Sequence, residues 1–140
     1  MKRAGFIALV LMLMTAAAMA APSTYDQPFP KTLINAKYVY VMAYDGDQFD
    51  PGLLPEDRQA IASVQDAIQK WGHYIIVYRP SEADMILAVQ KRGSEDVLAV
   101  YDAKSSSPIY LWRAMGRGGL DQSEVPLFAK LQKAVEKASQ

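Results

Sequence analysis

Between Ala36 and Tyr78 a strand-like run, an amphipathic stripe and a second strand-like run follow one another, and this succession limits the fold more than any other part of the chain. The first run, AKYVYVMAY from Ala36 to Tyr44, is rich in β-branched and aromatic residues and predicts a strand. Pro55 then stands where a helix starts without losing a hydrogen bond, and Glu56 and Asp57 put negative charge in its first turn. Ala60, Ile61, Val64, Ala67, Ile68 and Trp71 recur every three to four residues, so one stripe of that helix is buried, and Gly72 stops it. HYIIVY, from His73 to Tyr78, predicts the second strand, closed by Arg79-Pro80. Strand, helix and strand within about 45 residues imply a right-handed βαβ crossover with parallel strands.

Three further strands are predicted at Met85 to Gln90, Val97 to Asp102 and Ile109 to Met115. The short polar links KRGSED and AKSSSP between them imply antiparallel hairpins. A closing helix carries Leu127, Phe128, Leu131, Ala134, Val135 and Ala138 on one stripe, with Ser123 or Asp121 as its cap and Pro126 in its first turn. The predicted class is therefore α/β, a two-layer α+β sandwich. A mixed sheet of about five strands, in the order β-α-β-β-β-β-α, carries both helices on one face.

The N-terminal stretch MKRAGFIALVLMLMTAAAMA has Lys2 and Arg3, an uncharged apolar run and an Ala18-Met19-Ala20 exit, the pattern of a signal peptide cleaved after Ala20. The apolar run is shorter than the roughly 20 residues a bilayer span needs. The expectation is a periplasmic or secreted protein with no stable membrane anchor after cleavage. APSTYDQPFPK, with three prolines, continues as an extended leader to about residue 35, and residues 36–140 form one α/β domain. No cysteine occurs, so no disulfide supports the fold and no thiol is present for a lipid anchor. The chain carries 15 basic and 15 acidic residues; removing Lys2 and Arg3 leaves 13 against 15, a balance that does not attract nucleic acid.

Alternation along the strands points to a surface. Tyr38, Tyr40, Met42 and Tyr44 share one face of the first strand, opposite Val39, Val41 and Ala43. In the second strand, Tyr74, Ile76 and Tyr78 oppose Ile75 and Val77. A sheet covered on one side normally shows polar residues on the other, and these strands do not. The second face is expected to meet the leader, a second copy or a partner such as an envelope protein, with Trp112 extending the tyrosine patch. The plainer reading makes the same tyrosines ordinary sheet residues favoured by β-propensity.

DGDQFD, from Asp45 to Asp50, places Asp45, Asp47 and Glu56 on the first, third and twelfth positions of the EF-hand loop. Phe49 and Asp50 then stand where that loop needs a ligand and a glycine, which excludes an EF-hand. A looser calcium site of Asp45, Asp47 and Asp50 is the second functional reading, beside Asx turns feeding the next helix. GRGG offers Arg117, Gly118 and Gly119 as an anion cradle without matching a P-loop. His73 is the single histidine, so a zinc site of nitrogen and sulfur ligands is excluded. A hydrolase built on Ser105 to Ser107 lacks a nucleophile elbow and is the third reading. Glu95-Asp96 falls in a predicted hairpin loop, too open to separate an acid from a base.

WGHYIIVYRPSEADMILAV followed by LAVYDAKSSSPIYLWRA resembles exported bacterial envelope proteins whose fold is similar to the N-terminal domain of TolB and to CsgG-like secretion components. The positions that carry the resemblance are Gly72, Ala83-Asp84, Asp102 and Trp112, within Lys37 to Met115. Many members of that group are lipoproteins, whereas this chain has no cysteine. The resemblance implies a periplasmic or secreted accessory or binding module of the cell envelope and supplies no catalytic residues to carry over; apart from the calcium reading, no cofactor is expected.

Overall fold

A computed structural model describes residues 27–121 and 124–140. The signal-peptide stretch, the first part of the leader and Ser123 lie outside the described residues. Strands β1 (Tyr38–Ala43), β2 (Ile75–Val77), β3 (Met85–Gln90), β4 (Asp96–Asp102) and β5 (Trp112–Gly116) form one sheet in the order β2-β1-β3-β4-β5. Helix α1 (Pro55–Trp71) joins β1 to β2, and α2 (Pro126–Ala138) closes the chain. β1 pairs in parallel with both β2 and β3, while β3, β4 and β5 run antiparallel in turn. The predicted βαβ unit, the two hairpins and the element order are all present.

Both helices pack on one face. Val39, Val41 and Ala43 of β1 lie level with Met85, Leu87 and Val89 of β3, and these meet Leu98 and Val100 of β4 in a core closed to solvent. Ala60, Ile61, Val64 and Ile68 of α1 enter that core, as do Leu127, Leu131 and Val135 of α2. At the far end Trp71 stands edge-on to Phe128, 5.9 Å between ring centres, and ties the two helices together. Gly72 adopts φ 74°, a left-handed turn that ends α1 after a full apolar stripe.

The leader is part of the domain. Phe29 and Leu33 are buried in the same core, and Lys31–Leu33 form a 3₁₀ turn. The domain therefore begins before residue 36. The described part of the leader packs on the helix side and does not lie over the tyrosines.

Other boundaries differ from expectation. α2 begins at Pro126 after Val125 and has no side-chain cap. Asp121 is engaged instead in an ion pair with Lys91 at 3.0 Å. β2 is three residues long, and the chain turns into a second 3₁₀ segment at Pro80–Glu82. Because β1 lies between β2 and β3, the link of residues 78–84 has to cross it, and a right-handed return takes the face opposite α1. Ala83 is buried outside the main core, as that route requires.

The register of β2 corrects one prediction. Tyr38 pairs with Ile75 and Tyr40 with Val77, so Ile75 and Val77 share the tyrosine face of β1. Tyr74 and Ile76 stand on the helix side. Alternation fixes which side chains of one strand share a face, but a shift of one residue between neighbours exchanges the faces.

Candidate functional site: the open face of the sheet

The face opposite the helices is built from every strand. β1 contributes Tyr38, Tyr40 and Met42, and the ladder continues through the Tyr44 N–H, which donates to the Val89 carbonyl at 3.0 Å. β3 and β4 add Gln90, Val97 and Tyr101, with the small side chains of Ala88 and Ala99 buried at the centre. β5 adds Arg113 and Met115. Tyr38 and Tyr44 are each 38% exposed, and Ile75, Leu111 and Met115 are exposed beside them. Apart from the 78–84 link that crosses it over β1, this face carries no covering layer, and such a face would ordinarily be polar.

Tyr44, Gln90, Val97, Tyr101, Tyr110 and Arg113 surround a shallow depression of about 460 Å³. The Arg113 guanidinium lies 4.5 Å from the centre of the Tyr110 ring, a cation–π contact that holds its charge at the rim. Burial, followed by the neighbouring Tyr101 hydroxyl, pushes the Tyr44 phenol up to about 12. The depression thus presents the protonated Tyr44 hydroxyl, apolar surface and one fixed cation at physiological pH. Tyr, Met and Arg are the residue types enriched where proteins meet.

Two of the six predicted partner-binding residues, Tyr74 and Trp112, lie on the opposite face, and a third, Tyr40, is closed to solvent. Tyr40 is on this face but only 4% exposed, and its hydroxyl donates to Asp47 at 3.2 Å. Tyr74 is buried on the helix side, stacked edge-on to Trp71. Trp112 pairs with Val100 on the helix face and is core, its indole N–H donating to the Gln27 carbonyl at 2.9 Å. Tyr38 and Tyr44 remain on the open face, and Tyr78 is exposed just past β2.

The two interior phenols give a measurable consequence. Burial, then the Asp47 charge and hydrogen bond, pushes Tyr40 up to about 12, and burial alone does the same to Tyr74. Below pH 10 folded and unfolded chains both keep these protons. Between pH 10 and about 12 the unfolded chain loses them while the folded chain holds them, so alkali favours unfolding. The free energy of unfolding is expected to be level up to about pH 9 and then fall by roughly 2–3 kcal/mol per tyrosine, as read from urea midpoints; a level curve through pH 12 would contradict the burial of both rings.

DGDQFD does not gather its carboxylates. Asp45 pairs with Arg92 at 3.0 Å, Asp47 accepts from the Tyr40 hydroxyl and the Phe49 N–H, and Asp50 accepts from the Gly52 N–H. The last two are Asx turns. Among the described residues no group of three or more acidic, histidine or cysteine side chains converges on a point where a metal would sit. The bonds above occupy oxygens that a calcium cage would require.

GRGG is likewise engaged from within, and the anion beside it, Asp96, is held by the next residue, Leu120. The Leu120 N–H donates to Asp96 at 3.0 Å, the Gly119 N–H donates to the Gly116 carbonyl, and a Cβ on Gly119 would collide with Leu127. The Arg117 side chain is exposed and makes no hydrogen bond among the described residues, so Arg117, Gly118 and Gly119 form a connection fastened from within.

Asp96 was expected in an open hairpin loop; it is the first residue of β4 and 0% exposed. Its carboxylate accepts from Lys91 Nζ at 3.0 Å, from the Arg92 N–H at 3.1 Å and from Leu120. Asp57, 1% exposed in the first turn of α1, accepts from the Lys91 N–H at 2.9 Å and from the Arg92 guanidinium. Lys91 and Arg92 are accordingly held more firmly charged than free side chains, chiefly by Asp96 and Asp57 respectively. This network joins α1, the β3–β4 turn and the loop after β5. The basic pair and acidic pair that flank Gly93-Ser94 in KRGSED were its only sequence trace.

No hydrolytic arrangement forms among the described residues. His73 stacks on Trp71 at 4.7 Å and bonds to no serine, and the Ser105 and Ser107 hydroxyls each accept a backbone N–H within their own loop. The positions that carried the family resemblance are structural: Asp84 accepts from the Lys37 and Tyr38 N–H groups, both at 3.0 Å, which holds its carboxyl below the usual range. The chain matches no family model, no curated protein and no solved structure.

Proposed function

We propose that the chain is an exported, non-catalytic binding module of the bacterial cell envelope, periplasmic or secreted, that engages a protein partner through the open face of its sheet. The observation that carries this reading is the asymmetry of the two faces. One face is sealed by both helices, while the other exposes Tyr38, Tyr44, Ile75, Leu111 and Met115 and holds a depression bordered by Tyr44 and Arg113. An exposed apolar surface of this kind is a recognised mark of a partner site. The signal-peptide pattern at the N-terminus supports export, and the resemblance to TolB-like and CsgG-like envelope domains supports an accessory role.

Crosslinking of the tagged full chain in its native envelope fraction tests the reading. A stoichiometric partner is expected, its affinity lowered about tenfold or more by Tyr44→Asp and by Tyr38→Asp. Phe49→Asp, on an exposed ring in the loop after β1, is expected to leave it unchanged. Equal capture by all three variants, or recovery of bare monomer, would reject the face as the docking surface. Tyr40→Asp is unsuitable here, since it puts a charge into a closed site.

A further inference from the structure

A second surface lies along the outer edge of β5 on its α2 side, and meets the tyrosine depression at Arg113. A cleft of about 700 Å³ runs between that edge, α2 and the start of the described chain. We propose that this cleft binds an acidic polypeptide segment in extended conformation, added as a further strand along β5.

The edge is prepared for such an addition. β5 is the last strand of the sheet, and Trp112 and Ala114 pair inward with Val100 and Leu98. The intervening Arg113 and Met115 turn their backbone groups outward, since the two sides of a strand alternate in this way. Gln27 shows that this edge accepts a strand-like partner. Its side-chain amide donates to the Leu111 carbonyl at 3.3 Å and accepts from the Arg113 N–H at 3.1 Å, the pair of bonds one residue of an added strand would make. Beyond Gln27 the Met115 backbone continues along the cleft. An unpaired edge is the recurring template for extended peptides.

Charge selects the occupant. Lys130, Lys133 and Lys137 form one stripe of α2 above the cleft, and Lys31 faces them from the leader. Among the described residues no acidic side chain lines the cleft and none of these four lysines has an ion-pair partner. This gathering of cations stands out in a chain whose 15 basic and 15 acidic residues cancel. Between the lysines, Ala134 and Ala138 keep the wall low enough for a backbone to lie close. Backbone bonds would give the segment its register and the lysines would choose glutamate and aspartate on one of its faces.

A fluorescein-labelled peptide of alternating Glu and Val, followed by anisotropy, is the probe. It is expected to bind, to weaken as salt rises from about 50 to about 200 mM, and to lose about tenfold or more in affinity to the combined Lys130→Glu, Lys133→Glu and Lys137→Glu variant. These side chains are exposed, and circular dichroism checks that the variant folds. The same peptide N-methylated on alternate amides is expected not to bind. Tyr38→Asp and Tyr44→Asp should leave binding intact, so that this site and the sheet-face reading fail independently. Equal binding of a Lys/Val peptide or of the N-methylated peptide would overturn the proposal, and so would displacement of the peptide by phosphatidylglycerol vesicles. A Met115 amide already protected from hydrogen exchange before peptide is added would place the chain's own preceding segment or a second copy on the edge, and would overturn it too.

Discussion

Asp96→Ala is expected to lower the free energy of unfolding by about 3–5 kcal/mol, the cost of breaking a buried ion pair by removing one partner. At this chain length that corresponds to a fall in Tm of about 12–20 °C. The size follows from what is left behind. Lys91 keeps Asp121 at 3.0 Å, but the Arg92 and Leu120 N–H groups lose their acceptor in a site closed to water. The loop after β5 then loses its tie to the start of β4, although α1 keeps its own through Asp57. Asp96→Asn retains one acceptor oxygen and should recover part of the loss. Differential scanning calorimetry of both variants decides the matter; a fall below about 3 °C for the alanine variant would mean that the site relaxes and admits water.

Trp112→Ala is the second large effect, about 3–5 kcal/mol by removal of a buried aromatic side chain. Trp112 is 3% exposed, packs in the main core and holds the leader through its bond to Gln27. Its loss opens a cavity and frees that contact together. Urea unfolding should show the midpoint falling sharply for Trp112→Ala, while Tyr44→Ala, on a half-open surface, stays within about 1 kcal/mol of the parent. The contrast measures which face of the sheet each residue occupies. A Trp112→Ala protein as stable as the parent would put the indole on the open face and invert the register of β5.

How far the sequence could be read depended on the range of the signal. The helices were legible because an apolar stripe at 3.6-residue spacing is a local property, and Pro55 and Gly72 punctuate α1 at its two ends. The hairpins were legible from their short polar links. Tyr74 and Trp112 were misplaced because a strand's faces are named only relative to its neighbours, and the register that names them is set by packing far along the chain. The ion network was missed for a similar reason. Asp96 stands beside Glu95 in a polar turn, and nothing within a few residues reveals that Leu120 and Lys91 will close over it. The cleft beside β5 was invisible too, since the prolines of the leader indicated an extended segment outside the domain while Phe29 and Leu33 enter the core.

Gln27 sets the order in which the molecule can be completed. Its partners on Leu111, Trp112 and Arg113 lie 84 to 86 residues further along. A ribosome delivers the leader first and β5 near the end, so β1, α1 and β2 have formed their local contacts long before the leader has anything to close upon. Until then Phe29 and Leu33 lack the β5 and α2 side of the core in which they are buried. Completion of the fold therefore waits on the last strand and the last helix, and a chain halted short of Trp112 carries an open seam at its beginning as well as at its end.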